Sequence, residues 1–388
     1  MVIRLALVLL LALPGAASAA TLRIGLTDGP GGAKALRKSA PFDYRYQYLA
    51  AGWQTWNPNG TFASMYSRES FQAHITPVFT LYTIRQSPPG RDNGDEAAAD
   101  LGNLRNRDTM RAWYENARLL FKRVSGKRRA IVHVEPDLWG HVEQAASGDR
   151  AASVPAVVAS SGLAELKGLP NNVSGFARAV VRLRNRYARN VRLGYHLSVW
   201  GTGTDIALQD PPDRQVDALG RRAARFYRSL HARFDMTFAE FDDRDSGFNQ
   251  LVNGDGGASW WNAADFRRDV RFTRVYSKSA RQKIVKWQIP LGNTLMRAMD
   301  DTWGHYRDNR VQWLLGAGSS RHLRAYAKAG VVALLFGGGA DGTTCACDAR
   351  GDGVTNPPPK HGNKRKSLSA DDDGGYFRQR VRAYAGSR

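Results

Sequence analysis

The stretch from Arg129 to His141 (RAIVHVEPDLWGH) brings two carboxylates, a proline and a tryptophan to the end of one apolar run. Carboxylates are costly to bury unless paired or protonated. Two of them two positions apart, just after a hydrophobic segment, therefore suit proton transfer or cation binding. The plain alternatives are that Glu135 pairs with one of the many arginines and that Asp137 caps the helix that follows. Similar polar residues follow other apolar runs. Trp53 and Trp56 follow the first, Asp92 the second, His196 to Trp200 the fourth, Glu240 and Asp242 the fifth, Trp287 the sixth, and Asp341 the last. Tryptophan beside carboxylates is the pattern of a sugar site. An indole stacks on the apolar face of a pyranose while side-chain oxygens bind its hydroxyls. Trp53, Trp56, Trp139, Trp200, Trp260, Trp261, Trp287 and Trp303 form the pool, some of which must be core.

Strands must carry these residues. Ala130 to Val134 is too short and too β-branched for a helix and reads as a buried strand. Further strands are predicted over Tyr44–Ala51, Ile75–Ile84, Val191–Val199, Met236–Phe241, Lys283–Ile289 and Val331–Phe336, with an opening strand within 21–26. Helical patterns lie between them over 61–73, 108–124, 173–190, 215–232, 263–280 and 305–328. Strict alternation of this kind implies parallel strands with helical crossovers. Seven or eight such units predict an α/β fold, a TIM-type (β/α) barrel that is complete or slightly open. Sites in such barrels sit at the carboxyl ends of the strands, where all of the residues above would meet.

Residues 1–20 carry one positive charge, Arg4, then an apolar run from Leu5 to Leu13 and small residues at positions 17–20. That is the pattern of a secretory signal peptide, so export (secreted or periplasmic) is expected. Residues 21–388 are read as one barrel domain and the chain as a monomer. No later stretch approaches the roughly 18 apolar residues of a membrane span. The formal net charge is +21. It could serve an acidic partner, but no nucleic-acid module is visible and no nucleic-acid partner is expected. Cys345 and Cys347 are read as a loop feature, because a disulfide between them would close a very short, strained ring.

Three stretches, taken together, resemble the family-six glycoside hydrolases, the inverting cellobiohydrolases and endoglucanases. They are Glu135-Pro136-Asp137, Pro89-Gly90-Arg91-Asp92, and the glycine-rich run ending Asp341-Gly342-Thr343. Asn93 stands where that family has cysteine, and Ala97 to Ala99 stand where it has a serine. The resemblance implies an exported hydrolase of an extracellular poly- or oligosaccharide of β-glucan type. Asp137 would be its general acid, Asp92 the neighbour that raises the acid's pKa, and Asp341 the base. Glu135 would brace the loop. Trp53, Trp56, Trp139, His196, Trp200, Asp242 and Trp287 are the candidate substrate contacts. No metal or organic cofactor is needed. Two rivals stand beside it. One is a retaining glycosidase using Glu135 and Glu240, about 5–5.5 Å apart rather than the 6.5–9.5 Å of inverting enzymes. The other is a glycan-binding envelope protein on a barrel scaffold without catalysis.

Overall fold

The computed structural model describes residues 21–242 and 244–387. The expected signal peptide and Asp243 lie outside them. Eight parallel strands form a closed barrel in sequence order. They are β1 (Arg23–Thr27), β2 (Tyr44–Leu49), β3 (Thr76–Leu81), β4 (Ala130–Val134), β5 (Val191–Leu197), β6 (Met236–Glu240), β7 (Ile284–Ile289) and β8 (Val331–Phe336). β1 pairs with β8, with Arg23 opposite Ala333 and Leu26 opposite Phe336. The barrel is therefore complete, not open at a seventh strand. The expected opening strand is β1, which closes the barrel against β8.

Period-two alternation builds two separate cores. Inside the barrel sit Tyr46, Val78, Ile131, Phe238, Val285 and Trp287. The outward positions join a larger core beneath the helices. Charged residues on that outer face are paired where they are buried. Arg45 meets Asp28 at 2.7 Å and Glu69 at 3.1 Å, and Lys286 meets Asp269 at 2.6 Å.

The helices are α1 (Ala33–Ser39), α2 (Thr61–Gln72), α3 (Glu96–Arg105), α4 (Arg107–Val124), α5 (Leu138–Ala145), α6 (Val173–Tyr187), α7 (Asp213–Ser229), α8 (Ala263–Ala280), α9 (Arg310–Leu315), α10 (Ser320–Lys328) and α11 (Tyr376–Gly386). α7 shows why they pack. Val216, Leu219, Ala223, Phe226 and Tyr227 fall on one stripe and are buried, while its arginines face outward. The helical pattern predicted over 305–328 is two helices. Gly316 ends α9 in extended geometry, and α10 begins after Ser319.

The Gly-, Pro- and charge-rich segment 344–373 is only partly exposed. Its middle is exposed, but Thr344, Asn363, Asp372 and Asp373 are buried. Asp373 accepts from the backbone N–H groups of Gly375 and Phe377 at the start of α11. Cys345 and Cys347 form a disulfide. Their Cα atoms lie 5.0 Å apart, inside the usual range, so the short ring closes without the expected misfit.

Candidate active site

Glu135, Asp137 and Gln288 take positive φ (44°, 66° and 53°) at the carboxyl ends of β4 and β7. Left-handed backbone in such residues costs about 1–3 kcal/mol each and gathers at functional sites. Here it sends adjacent side chains in different directions. Glu135 turns away from the barrel mouth and is 1% exposed. It accepts from Thr83 N (3.1 Å), Thr83 Oγ1 (2.9 Å), Ile84 N (3.1 Å) and Trp113 Nε1 (2.5 Å). Its partners are thus N–H and O–H donors of the β3 end and α4, not an arginine. Burial pushes its pKa up to about 7, against the pull of those donors. Glu135 is a buckle between β3, β4 and α4, and it is remote from the chemistry that the retaining rival gave it.

Pro136 and Asp137 instead face a cleft of about 870 Å³ at the carboxyl ends of the strands. Asp137 precedes α5, but its side chain makes no capping hydrogen bond. Trp139 Nε1 donates to Val134 O at 2.8 Å and fixes the start of that helix on β4. Across the mouth, Glu240 ends β6 and also lines the cleft. One carboxylate oxygen of Asp137, one of Glu240 and one ring nitrogen of His196 all lie within 4.8 Å of each other. Among the described residues this is the one trio of side chains grouped closely enough to hold a metal ion.

The loops around the pair are tied by buried charge. Asp245 accepts from Gly292 N at 2.9 Å and Thr344 N at 2.7 Å, joining the loops after β6, β7 and β8. Burial and the neighbouring Asp308 hold Asp245 well above the usual carboxylate range. Arg310, fully buried, bridges Asp308 and Asp242, each at 2.7 Å. Asp242 therefore reaches the cleft as half of an ion pair. On the floor, Gln288 Nε2 donates to Tyr48 Oη. His141, four residues after Asp137, bonds Asp100 at 2.8 Å. Burial lowers the His141 pKa, but Asp100 outweighs it and the net shift is upward.

The tryptophans divide. Trp200 and Trp261 line the cleft, whereas Trp287, expected to meet substrate, is 1% exposed in the barrel core and only closes the cleft floor from beneath. Trp200 lies on α5 because residue 140 is glycine. A Cβ there would come within 2.6 Å of the indole ring. Trp53 and Trp139, expected to meet substrate, are wholly buried in the outer core and cannot do so. Trp56 is exposed, packs edge-on against Phe62 and does not line the cleft. His196 is buried beneath the pair and has no surface to offer a sugar.

The other two aspartates of the family-six pattern are not brought to Asp137. Asp92 ends a short 3₁₀ turn with its side chain 78% exposed, 3.4 Å from Arg91. Asp341 is exposed in the loop after β8, which reaches the cleft only through Gly339. The neighbour of Asp137 is Glu240. Sequence reading missed Tyr48, Tyr82, Arg244 and Asp255, all of which line the cleft. Tyr48 was legible in principle, since Tyr44, Tyr46 and Tyr48 alternate on one face of β2.

No family model and no curated protein matches the sequence. Solved structures do. An endo-β-1,4-mannanase double mutant from Cellulomonas fimi matches with a TM-score of 0.50 at 9% identity, covering 95% of this chain and 71% of that one. A GH26 β-mannanase from Bacteroides ovatus matches with a TM-score of 0.48 at 11% identity, over 94% of this chain and 90% of that one. At 9% identity the likeness to the Cellulomonas fimi enzyme is one of fold, the eight-stranded barrel.

Proposed function

We propose that the chain is an exported glycoside hydrolase that retains anomeric configuration, with Glu240 as nucleophile and Asp137 as acid and base. The observation that carries this reading is that one carboxylate oxygen of Asp137 lies within 4.8 Å of one of Glu240, in a cleft lined by Trp200 and Trp261 with buried Trp287 beneath. Retaining enzymes need the short separation so that one carboxylate can reach the sugar carbon. Inverting enzymes need a gap wide enough for water. The spacing therefore argues against the inverting mechanism that the family-six resemblance implied.

The steps follow from the pair. Glu240 attacks the anomeric carbon while Asp137 gives its proton to the leaving oxygen, forming a glycosyl ester on Glu240. Asp137, now ionised, takes a proton from water. That water attacks the same carbon, and the ester bond breaks to release the sugar and the Glu240 carboxylate. Two like charges this close oppose each other's ionisation, so one proton is shared by the pair at the start of the cycle.

Glu96, Asp137, Asp205, Glu240, Asp242 and Asp255 line the cleft with Arg244, and Arg310 behind them neutralises Asp242. An acidic cleft in a chain of net charge +21 repels polyanionic glycans and suits a neutral one. A β-1,4-linked mannan or glucan is the first substrate to try. Proton NMR of the first product formed should show the anomer of the substrate. Appearance of the opposite anomer would defeat the nucleophile assignment. The same assay in EDTA tests the second reading, a metal-dependent hydrolase using Asp137, His196 and Glu240. Undiminished activity is expected, and loss restored by added Zn²⁺ or Mn²⁺ would favour the metal.

A further inference from the structure

A buried hydrogen-bonded row inside the barrel has no part in the steps above. Thr80 on β3, His133 on β4 and His196 on β5 are each fully shielded from solvent. Thr80 Oγ1 lies 3.3 Å from His133 Nδ1, and His133 Nε2 lies 3.1 Å from His196 Nδ1. The His133 ring stacks on Phe238 at 4.2 Å, and both histidine rings meet Trp287 in edge-to-face geometry. Packing thus fixes the two rings. His196 Nε2 is buried and has no hydrogen-bond partner among the described residues. Such atoms are rare in folded proteins and ask for a reason. With Nδ1 committed to His133, Nε2 is the nitrogen left to face Asp137 and Glu240, whose oxygens lie within 4.8 Å of the ring but outside hydrogen-bond reach of Nε2 in this structure.

Both histidines are fully buried and bonded to each other, where the uncharged ring is favoured. A neutral row has two proton arrangements. In one, Thr80 donates to His133 Nδ1, His133 Nε2–H donates to His196 Nδ1, and His196 carries its proton on Nε2. In the other, every bond is reversed and His196 turns a lone pair toward two carboxyl groups. A lone pair facing a carboxylate is repulsive, whereas an N–H facing it forms a charge-assisted bond.

We propose that Thr80, His133 and His196 fix one tautomer, in which His196 presents Nε2–H to Glu240 and holds that carboxylate ionised and aimed at the sugar carbon. His196 is then a positioning residue, acting through the nucleophile. The inference rests on Glu240 being that nucleophile.

Nitrogen-15 NMR of the histidine-labelled full chain, assigned with His196→Gln, tests the tautomer directly. His196 Nε2 should bear the proton near neutral pH and Nδ1 should not. Thr80→Val keeps the shape of the side chain but removes the first donor. It should populate the reversed tautomer and lower kcat about tenfold, with KM changed by less than about twofold. His196→Leu should lower kcat about a hundredfold, the range for a lost hydrogen bond to a charged group. His196→Gln places an amide N–H where Nε2–H stood and should recover most of that loss. An unprotonated Nε2 in the wild type, or a Thr80→Val enzyme with wild-type kcat, would overturn the inference. A fully active Glu240→Ala enzyme would overturn the nucleophile assignment and this inference with it. An inactive Glu240→Ala beside an unimpaired His196→Leu would overturn this inference alone.

Discussion

Two sectors of one barrel rim carry acidic residues after apolar strands, and they differ in what surrounds the carboxyl groups. In the sector from β4 to β6, Asp137 and Glu240 lie within 4.8 Å of each other above the buried His196. Their backbone is held by Trp139 on one side and by the Asp245 and Arg310 ties on the other. In the loops after β3 and β8, Asp92 and Asp341 stand in solvent, and Asp92 touches only its neighbour Arg91 among the ion pairs of that turn. Solvent leaves a carboxylate with ordinary chemistry and screens its influence on others. Confinement beside a second carboxylate gives one a proton to donate and the other a charge to attack with. The same residue type at the same topological position thus has different potential in the two sectors.

The largest effects should come from the confined pair. Asp137→Asn keeps shape and hydrogen-bonding reach but has no proton to give. It should slow hydrolysis of unactivated glycans about 10²–10⁴-fold, the usual worth of a general acid, while leaving binding nearly unchanged. An aryl glycoside with a good leaving group should lose far less in kcat/KM, which reports the first step, while its kcat still falls because hydrolysis of the glycosyl ester lacks its base. Glu240→Ala should be at least as inactive, and added azide should restore turnover to a glycosyl azide of inverted configuration by filling the emptied space. Steady-state kinetics on both substrate types checks each point. A nearly wild-type rate for either variant on the natural glycan would break the comparison at its stronger end.

A smaller effect, of a different kind, is expected at Glu135. Glu135→Gln turns an amide N–H₂ toward four donors that need an acceptor, and should cost about 2–5 kcal/mol of stability. The folded fraction should keep kcat within a few fold, because Glu135 points away from the cleft. The pH dependence carries a definite sign. Burial pushes Glu135 up to about 7 and Glu143 up to about 8, against about 4.3 in an unfolded chain. Both bind their protons more tightly when folded. Their contribution is complete below about pH 4.3 and is lost as pH rises through 7 to 8. The melting temperature should therefore fall between about pH 5 and pH 8, and Glu143→Gln should flatten that slope. A melting temperature that rises over this range would contradict the assignment of these two side chains as buried acids.

Much of the frame was legible. The strand over Ala130–Val134, the strand over Val331–Phe336 and the helix over Ala263–Ala280 have the bounds that periodicity predicts. Each is a long or strongly patterned apolar run whose burial decides its structure. α1 and α3 were missed because they are short, Ala-containing segments with no clear apolar period. Asp137 was legible as a strand-end carboxylate. Its partner was weakly so, because Glu240 is neighbour to Asp137 only through β5, which lies between their strands. The direction of Glu135 depends on a positive φ in a residue that rarely adopts one, which no pattern of residue types encodes. Trp53 and Trp139 were misread because indole serves a core as well as a sugar.

The smallest expected effect tests the weaker sector and is the most direct trial of the motif resemblance. Asp92→Asn and Asp341→Asn remove the carboxylates that the family-six pattern made a pKa partner and a base. Neither side chain lines the cleft. With Asp92 78% exposed, any field it exerts at Asp137 is carried through water and screened over about 10 Å at ordinary ionic strength. Each variant, and the two together, should keep kcat/KM within about twofold of wild type, and the pH profile of kcat should not move. The measurement is sensitive in the useful direction. A loop that closes over bound sugar could carry Asp341 inward from the β8 end, and the rate on a long glycan would then fall while that on a short aryl glycoside held. A loss of a hundredfold or more on both substrates would make Asp341 a working base, would return the inverting mechanism to first place, and would reduce Glu240 to a stabiliser of positive charge.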